Sequence, residues 1–172
     1  QTGFSWSPPH GYLRAVIATD DSVVAIGGAH DEVAIVTSCD GTTWTSADVP
    51  AHSGELMRGA FGAGIFVAVG DDYGPGETAR GLRYVHTRSQ GWQVSELSQE
   101  ERLLDVIYGN GVFVGTQWPA GIRASRDGLR WDSVPVDTDE FYEARVFFDG
   151  DRFIAYTRRG LRTSKDGSTW ST

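Results

Sequence analysis

Apolar and polar positions alternate along this chain in short runs. Four stretches contain two such runs separated by a polar or glycine-bearing turn: RAVIATDDSVVAIG, RGAFGAGIFVAVG, LDVIYGNGVFVGT and RVFFDGDRFIAYT. Short runs in which every second residue is apolar, joined in pairs by short turns, predict β-hairpins. No stretch keeps a 3.6-residue period over three turns, so the pattern predicts no helix. The chain is therefore expected to be all-β.

The hairpins belong to an internal repeat. Five tryptophans follow one another at steps of 38, 48, 39 and 39 residues: Trp6, Trp44, Trp92, Trp131 and Trp170. Each hairpin precedes a third short run and then a fourth, which begins at the tryptophan. Four short antiparallel strands in a repeat of roughly 40 residues are typical of a β-propeller blade. We predict one propeller or half-propeller domain over residues 1–172, with repeat units at about 7–44, 45–92, 93–131 and 132–170.

A motif, Ser-x-Asp-Gly-x-x-Trp, recurs between the third and fourth runs. Its three copies are Ser38, Asp40, Gly41 and Trp44; Ser125, Asp127, Gly128 and Trp131; and Ser164, Asp166, Gly167 and Trp170. The aspartate can accept hydrogen bonds from amides just downstream, and glycine supplies a positive φ without steric cost. We therefore predict a tight structural turn, after which the tryptophan is buried between blades. The second repeat has Ser89 in place of the aspartate and is one residue shorter, which predicts a looser hairpin there.

The motif, following a hairpin of the GNGVFVG type, resembles the Asp-box (BNR) repeat of sialidase-like β-propellers, and the resemblance covers almost the whole chain. It implies that the Asp boxes are fold elements on the outer, non-catalytic side. It also implies a secreted protein, extracellular or periplasmic, which agrees with a sequence that begins at Gln1 and not at Met.

The two ends of the chain carry partial motifs. Gly3-Phe4-Ser5-Trp6 matches the last half of the motif, and the final fourth run is shortened to WST. Residues 1–9 are therefore predicted to complete the last blade. They could do so within one chain, giving a closed four-bladed disc, or in a second copy, giving a strand-exchanged homodimer of eight blades. A third alternative is that this chain is part of a longer protein.

Charge and composition restrict the partners. The 15 Lys and Arg against 23 Asp and Glu give a net charge of -8, which argues against nucleic acid and anionic membranes as main partners. No apolar run approaches the length of a bilayer span. The single cysteine, Cys39, can form neither an intramolecular disulfide nor a cysteine-based zinc site, and it is interpreted as a tolerated turn residue.

Up-and-down connectivity places the remaining connections on the face opposite the Asp boxes, and seven residues there are predicted to bind a ligand. Arg58, Asp105 and Arg145 begin the innermost strands and should ring the channel mouth, with Arg14 one residue off register. The others lie in the DDYGPGETAR and QWPAG loops: Asp72, Tyr73, Glu77 and Trp118. The two loop aromatics could stack on a sugar ring, fill a partner's pocket, or only cover the blade ends.

No metal or cofactor is predicted. Asp71, Asp72 and Glu77 are ligand types that calcium takes, but their spacing matches no EF-hand loop, and a solvated acidic loop is the preferred interpretation. The four histidines, among them His52, show no metal-ligand spacing.

Catalytic residues are not assigned either. The family resemblance would call for three arginines, a Tyr-Glu pair and an acid, and only Arg58, Arg145 and Arg14 suit the first role. The sequence contains no Gly-x-Ser-x-Gly elbow and no phosphate loop. We predict a non-enzymatic propeller that binds a carbohydrate or a protein. A glycoside hydrolase, with a carboxylate pair from a loop such as 137–140, and a structural assembly module are the alternatives.

Overall fold

The computed structural model describes residues 11–29, 32–72 and 79–171, and these residues form β-structure throughout. One 3-10 turn occupies Gln99–Glu101, and no helix in the described ranges could cross a bilayer. The strands are β1 (Tyr12–Ala18), β2 (Val23–Ala29), β3 (Glu32–Ser38), β4 (Thr45–Ser46), β5 (Gly54–Gly62), β6 (Ile65–Asp72), β7 (Arg80–Thr87), β8 (Gly91–Leu97), β9 (Leu103–Gly109), β10 (Val112–Gln117), β11 (Ile122–Ser125), β12 (Asp132–Val134), β13 (Arg145–Phe148), β14 (Phe153–Thr157) and β15 (Gly160–Ser164). The prediction of an all-β chain is confirmed.

The strands pair in chain order as four antiparallel meanders: β1–β4, β5–β8, β9–β12 and β13–β15. In the fourth meander, Ser171 takes the place of a fourth strand through a single bridge to Thr163. The first two meanders are also joined edge to edge, because Gly28 and Ala29 of β2 pair with β5. Residues 1–9, predicted to complete the last meander, lie outside the described residues, so that pairing stays a prediction.

The core lies between successive meanders, in three seams. Each seam contains one hydrophobic cluster drawn from both neighbours: Val24, Ile26, Phe66, Leu82 and Tyr84 in the first; Val67, Val85, Val106 and Phe113 in the second; Val114, Ile122, Val146 and Phe153 in the third. Because side chains alternate across a strand, Phe66 enters the first seam while its neighbour Val67 enters the second. An inner meander therefore buries both of its faces.

The first strand of each meander is the innermost. β1 packs against β5, β5 against β9, and β9 against β13. β1 and β5 carry a register shift near their starts, and a similar shift in β9 separates Leu103 from Asp105. Within the described part of the chain, no equivalent packing joins β13 back to β1.

The Asp boxes form the predicted turns between the third and fourth strands. In the last one, Asp166 Oδ1 accepts the amides of Ser168 and Thr169, both at 2.8 Å, and Ser164 Oγ accepts the amide of Gly167 at 2.9 Å. These amides of Thr169 and Ser168 hold the pKa of Asp166 well below its usual range. The same contacts recur at Asp40 and Asp127.

The second meander departs from the motif without becoming looser, so the expectation of a looser hairpin was wrong. β7 and β8 pair continuously from Thr87 and Gly91 to Gly81 and Leu97. The Thr87 hydroxyl accepts the Gln90 amide at 3.1 Å, as the serine hydroxyls of the Asp boxes accept the amide three residues later, so the turn keeps this contact although Ser89 stands at the aspartate position. The shorter turn also lets the ladder run to the end of both strands.

The Asp-box glycines allow the meanders to approach closely. A Cβ placed on Gly128, where φ is 73°, would lie 2.6 Å from Val67 Cγ2 of the preceding meander. A Cβ on Gly167 would lie 2.5 Å from Val114 Cγ2, again in the preceding meander. Glycine is therefore required twice over, by its backbone conformation and by the seam.

We expect Gly128→Ala to lower the free energy of unfolding by roughly 2–4 kcal/mol, the sum of a left-handed alanine and an overpacked seam. Gly111→Ala is the matched control, because Gly111 has φ of 80° and no described atom within 4 Å of the added Cβ. It should lose only about 1 kcal/mol. Urea unfolding of both variants measures the difference, and equal losses would show that the seam does not restrict this position.

Candidate functional site

The face opposite the Asp boxes, called here the ligand face, collects the ends of the second and fourth strands and the connections that follow them. Its described parts include the β10–β11 connection, the β14–β15 turn, and the long links that enter β5, β9 and β13. Of the seven predicted ligand-binding residues, Tyr73 and Glu77 lie outside the described residues, and the other five are described below.

Three of the predicted residues lie on inner strands: Asp105 is the third residue of β9 and Arg145 the first of β13, whereas Arg58, predicted at a strand start, is the fifth residue of β5 because that strand begins earlier, at Gly54. Arg58 Nε lies 3.9 Å from Asp105 Oδ1, and the positive charges of Arg58 and Arg145 both act on the Asp105 carboxylate. Burial nevertheless raises the pKa of Asp105, and this outweighs the amide of Val106 and the two arginines. The Asp105 carboxyl group therefore keeps its proton to a higher pH than an exposed aspartate does.

A second arrangement was not expected from the sequence. Two neighbouring aromatic rings, each with an arginine beside it, form a row across the ligand face: Arg102, Trp118, Tyr142 and Arg158. The Arg102 guanidinium carbon lies 5.2 Å from the Trp118 ring centroid, and the two ring centroids are 6.5 Å apart. The Arg158 guanidinium carbon lies 3.9 Å from the Tyr142 ring centroid. We call these four residues the Arg-aromatic strip.

Hydrogen bonds to neighbouring segments hold the strip in place. Arg102 donates to both carboxylate oxygens of the buried Asp71, at 2.5 and 2.6 Å. The Trp118 amide donates to the Arg102 carbonyl at 2.9 Å, and the Glu143 amide donates to the Pro119 carbonyl at 2.9 Å. The strip is therefore built on a fixed backbone and on a bidentate ion pair.

Ion pairs also fix the loop that carries Tyr142. Glu140 is buried, receives Arg162 Nε at 2.6 Å, and accepts the Thr157 hydroxyl at 3.1 Å. Arg159 reaches Asp137 at 2.7 Å. The acidic segment 137–140, considered above as a source of catalytic carboxylates, uses Asp137 and Glu140 to position this loop.

One group of described side chains has metal-ligand types. The ligand atoms of His52, Asp72 and Glu96 all lie within 4.8 Å of one another. His52 Nδ1 lies 2.7 Å from the Ser53 carbonyl oxygen, and Nε2 lies 3.1 Å from Glu96 Oε1. Because both ring nitrogens face oxygen acceptors, a protonated imidazole satisfies them without a metal ion.

The pKa of His52 follows from these contacts. Burial lowers it, but the Ser53 carbonyl, the Glu96 side chain and the charges of Asp72 and Glu96 together raise it above the ordinary value. Asp72, predicted as a ligand contact, is buried and accepts the Ser53 hydroxyl at 2.8 Å. The structure thus places Asp72 in this charge cluster and not in the Arg-aromatic strip.

Sequence reasoning found Trp118 but missed its neighbours. Arg102, Tyr142 and Arg158 come from three other connections, separated by 16 to 56 residues from one another. All three lie in connections that the repeat places on the ligand face, at 96–102, 137–142 and 158–159, so their location was available from the sequence. Their mutual contact was not, because it depends on how the third and fourth meanders pack.

No protein-family model matches this chain, and no curated protein does. Solved structures do match. YCF48 from Cyanidioschyzon merolae is 16% identical, with a TM-score of 0.62 over 96% of this chain and 56% of that one. The WD40 β-propeller domain of Doa1 is 12% identical, with a TM-score of 0.57 over 93% of this chain and 53% of that one. The chain folds as a β-propeller.

Two further solved structures match. YCF48 has also been solved bound to a D1 peptide, and that structure matches with 16% identity and a TM-score of 0.61, over 94% of this chain and 52% of that one. The GH43 protein BlXynB from Bacillus licheniformis is 13% identical, with a TM-score of 0.56 over 89% of this chain and 39% of that one. The propeller domain described here spans about half the length of YCF48 and Doa1. At these identities the likeness establishes the fold alone.

We expect Glu96→Gln to lower the pKa of His52, because the substitution removes a carboxylate that stabilises the imidazolium. The folded pKa of His52 lies above its usual 6.5, so its interactions stabilise the fold below that pH and are lost as the pH rises through the folded pKa. Glu96→Gln should therefore cost more stability at about pH 5.5 than at about pH 8.5. NMR titration of the His52 ring and urea unfolding at both pH values measure this. Glu100→Gln, an exposed glutamate in the 3-10 turn, is the control and should leave the His52 pKa unchanged.

Proposed function

We propose that this β-propeller is a non-enzymatic binding protein, and that it takes a peptide with acidic side chains on the Arg-aromatic strip of its ligand face. The observation that carries the proposal is a pair of half-buried aromatic rings on a rigid surface, with a guanidinium group over each ring. Such a surface offers flat apolar area together with donors for carboxylates. Rigid aromatic and arginine side chains are the residue types that dominate binding energy in protein interfaces.

The geometry favours a peptide over a carbohydrate. A sugar stacks on an open aromatic face, but a guanidinium lies over each ring of the strip, at 5.2 Å from the Trp118 centroid and 3.9 Å from the Tyr142 centroid. The guanidinium edges still carry several N–H donors that a carboxylate can accept. The peptide-bound YCF48 structure supports the same choice, since it shows that a propeller similar to this chain binds a peptide.

Local charge supports an acidic ligand even though the whole chain carries -8. Arg158 and Arg159 form the exposed β14–β15 turn beside Tyr142, and Arg145 is exposed at the start of β13. Because Arg159 is paired with Asp137 and Arg102 with Asp71, the positive charge available to an acidic ligand comes mainly from Arg158 and Arg145. Binding through these side chains is expected to weaken as salt concentration rises.

Glycoside hydrolysis is the alternative function, and Asp105 is the observation that favours it. Its raised pKa and the nearby Arg58 and Arg145 suit a proton donor beside an anion-binding group. A glycosidase also needs a second carboxylate roughly 5 to 10 Å away. The structural likeness to a xylan β-1,4-xylosidase from Bacillus halodurans, which is 14% identical with a TM-score of 0.56, makes xylo-oligosaccharides the first substrates to test. A purely structural module is the remaining alternative. An extracellular or periplasmic location stays part of the proposal.

Binding to an array of acidic, neutral and basic decapeptides tests the proposed function. We expect acidic peptides to be retained, and Arg158→Ala to weaken binding about tenfold or more, since a charge-assisted hydrogen bond contributes about 1.5–3 kcal/mol. Trp118→Ala should weaken it similarly. Arg126→Ala is the matched control, because Arg126 is an exposed arginine in an Asp-box turn on the opposite face.

Asp127→Ala is a second control. It removes two amide acceptors in the same turn and should lower stability by roughly 1 kcal/mol or more without changing peptide affinity in the folded protein. Equal retention of acidic and basic peptides, or unchanged affinity in Arg158→Ala, would contradict the proposal. Hydrolysis of xylo-oligosaccharides that is lost in Asp105→Asn would favour the enzyme instead.

A further inference from the structure

All three seams in this chain share a tryptophan, and the second and third are built from the same further parts. The later meander contributes the tryptophan that opens or precedes its fourth strand: Trp92 in the first seam, Trp131 in the second and Trp170 in the third. In the second and third seams it also contributes the buried Asp-box glycine, Gly128 or Gly167. The earlier meander contributes the valine that follows a buried phenylalanine of its second strand, Val67 after Phe66 and Val114 after Phe113.

The first meander carries the residues that a later meander contributes to a seam, the Asp-box glycine and the tryptophan, but no described meander packs against them. Gly41 has φ of 73°, as Gly128 does, yet it is exposed and no described atom lies within 4 Å of a Cβ built on it. Trp44 belongs to none of the three clusters among the described residues. Val16, on the neighbouring inner strand, is 66% exposed.

The fourth meander carries the residues that an earlier meander contributes to a seam. Ile154 follows the buried Phe153, as Val67 follows Phe66, and it is only partly buried. Around it, Phe147 is 48% exposed, Tyr156 63% and Leu161 57%. In the third meander, Thr116 takes the position of Tyr156 and Ile122 that of Leu161. Both Thr116 and Ile122 are buried beneath the fourth meander. Large apolar side chains left in water on one sheet face indicate a surface that is covered in the assembled protein.

We propose that a second copy of this chain covers both faces, with the fourth meander of each copy packed on the first meander of the other in a closed two-fold ring. The two open faces are the two complementary halves of one repeated interface, so continuity with the three internal seams identifies the occupant as another copy. A single two-fold axis closes both new seams at once, which leaves no open face. This inference does not depend on the peptide proposal.

The partner copy also completes the channel mouth. Arg58, Asp105 and Arg145 follow one another along the inner strands of one copy. In the ring, Arg145 is followed by β1 of the partner subunit, which carries Arg14 and its ion pair to Glu55. The ring of charged groups around the channel is therefore half built in one chain.

An internal contact shows where to test the new seam. In the third seam, Asn110 of the β9–β10 turn donates to the carbonyl of Lys165, the variable residue of the last Asp box, at 2.9 Å. The corresponding variable residue of the first Asp box is Cys39, which is exposed. The corresponding turn of the fourth meander is residues 149–151. The ring thus brings this turn close to Cys39 of the partner subunit.

Asp151→Cys therefore tests the arrangement directly. With oxidised glutathione as the oxidant, which is reduced to two thiols, the introduced cysteine should form a disulfide with Cys39 of the partner subunit. Peptide mass mapping identifies this link, and non-reducing electrophoresis should show a two-chain band. The double variant with Cys39→Ser should lose the band. A link within one chain would show that the four meanders close on themselves and would overturn the proposal, and so would the absence of this link.

Solution mass gives an independent measurement. Light scattering on the 172-residue chain should give twice its 18.7 kDa. Val16→Asp and Tyr156→Asp, one on each open face, should each raise the dimer dissociation constant by at least about 30-fold, because each buries an unpaired charge. Ser133→Asp on the outer strand β12 is the control and should remain a dimer, with circular dichroism showing that all three variants fold. A wild-type chain that is monomeric, whether because it folds alone or because other units of a longer protein cover these faces, would overturn the proposal.

Discussion

A four-stranded meander has two faces, and in this protein both faces are apolar, so each meander needs a neighbour on either side. Phe66 and Val67 show the constraint in two consecutive residues, since they are 2% and 0% exposed and enter different seams. A sheet of this kind cannot be stable as one layer in water. Stacking the meanders around an axis buries both faces of every inner meander and leaves only the two outermost apolar faces uncovered. Those are where the exposed apolar side chains are found.

The Asp box makes the stacking close. The aspartate binds its two amides within the turn, so the turn needs no partner from another segment and its backbone stays compact. Glycine then presents a bare backbone to the valine of the preceding meander, at a distance where a Cβ would overlap it. A motif that closes a local hairpin is in this way also a packing element between meanders. In the second meander the hairpin closes without the aspartate, and the Thr87 hydroxyl accepts the Gln90 amide as the Asp-box serines accept the amide three residues later.

The ligand face follows a different rule, because its side chains are held by ion pairs and ring contacts and not by hydrophobic burial. Arg102 is fixed by Asp71, and the loop carrying Tyr142 is fixed by Arg162 and Glu140. These partners come from different meanders or from opposite ends of one meander. The seams supply the rigidity that keeps them in register, so the arginine and aromatic groups can be presented in a fixed order. A rigid scaffold with functional groups on its connections is a common arrangement for recognition.

The sequence by itself determined the strands, the turns and the repeat, because these depend on residues close together in the chain. Alternation in VFVG-type runs, the Asp-Gly turn chemistry and the tryptophan spacing were sufficient to predict an all-β propeller and to assign the Asp boxes to turns. The repeat also placed Arg58, Asp105 and Arg145 at equivalent positions on the inner strands, although β5 begins four residues before Arg58. Only the tertiary structure decided which of the connections touch. The stacking of Arg102, Trp118, Tyr142 and Arg158, the meeting of His52 with Asp72 and Glu96, and the exposure of Val16 and Tyr156 all depend on distances between meanders. Those distances are set by how side chains fill the seams, which no local pattern in the sequence specifies.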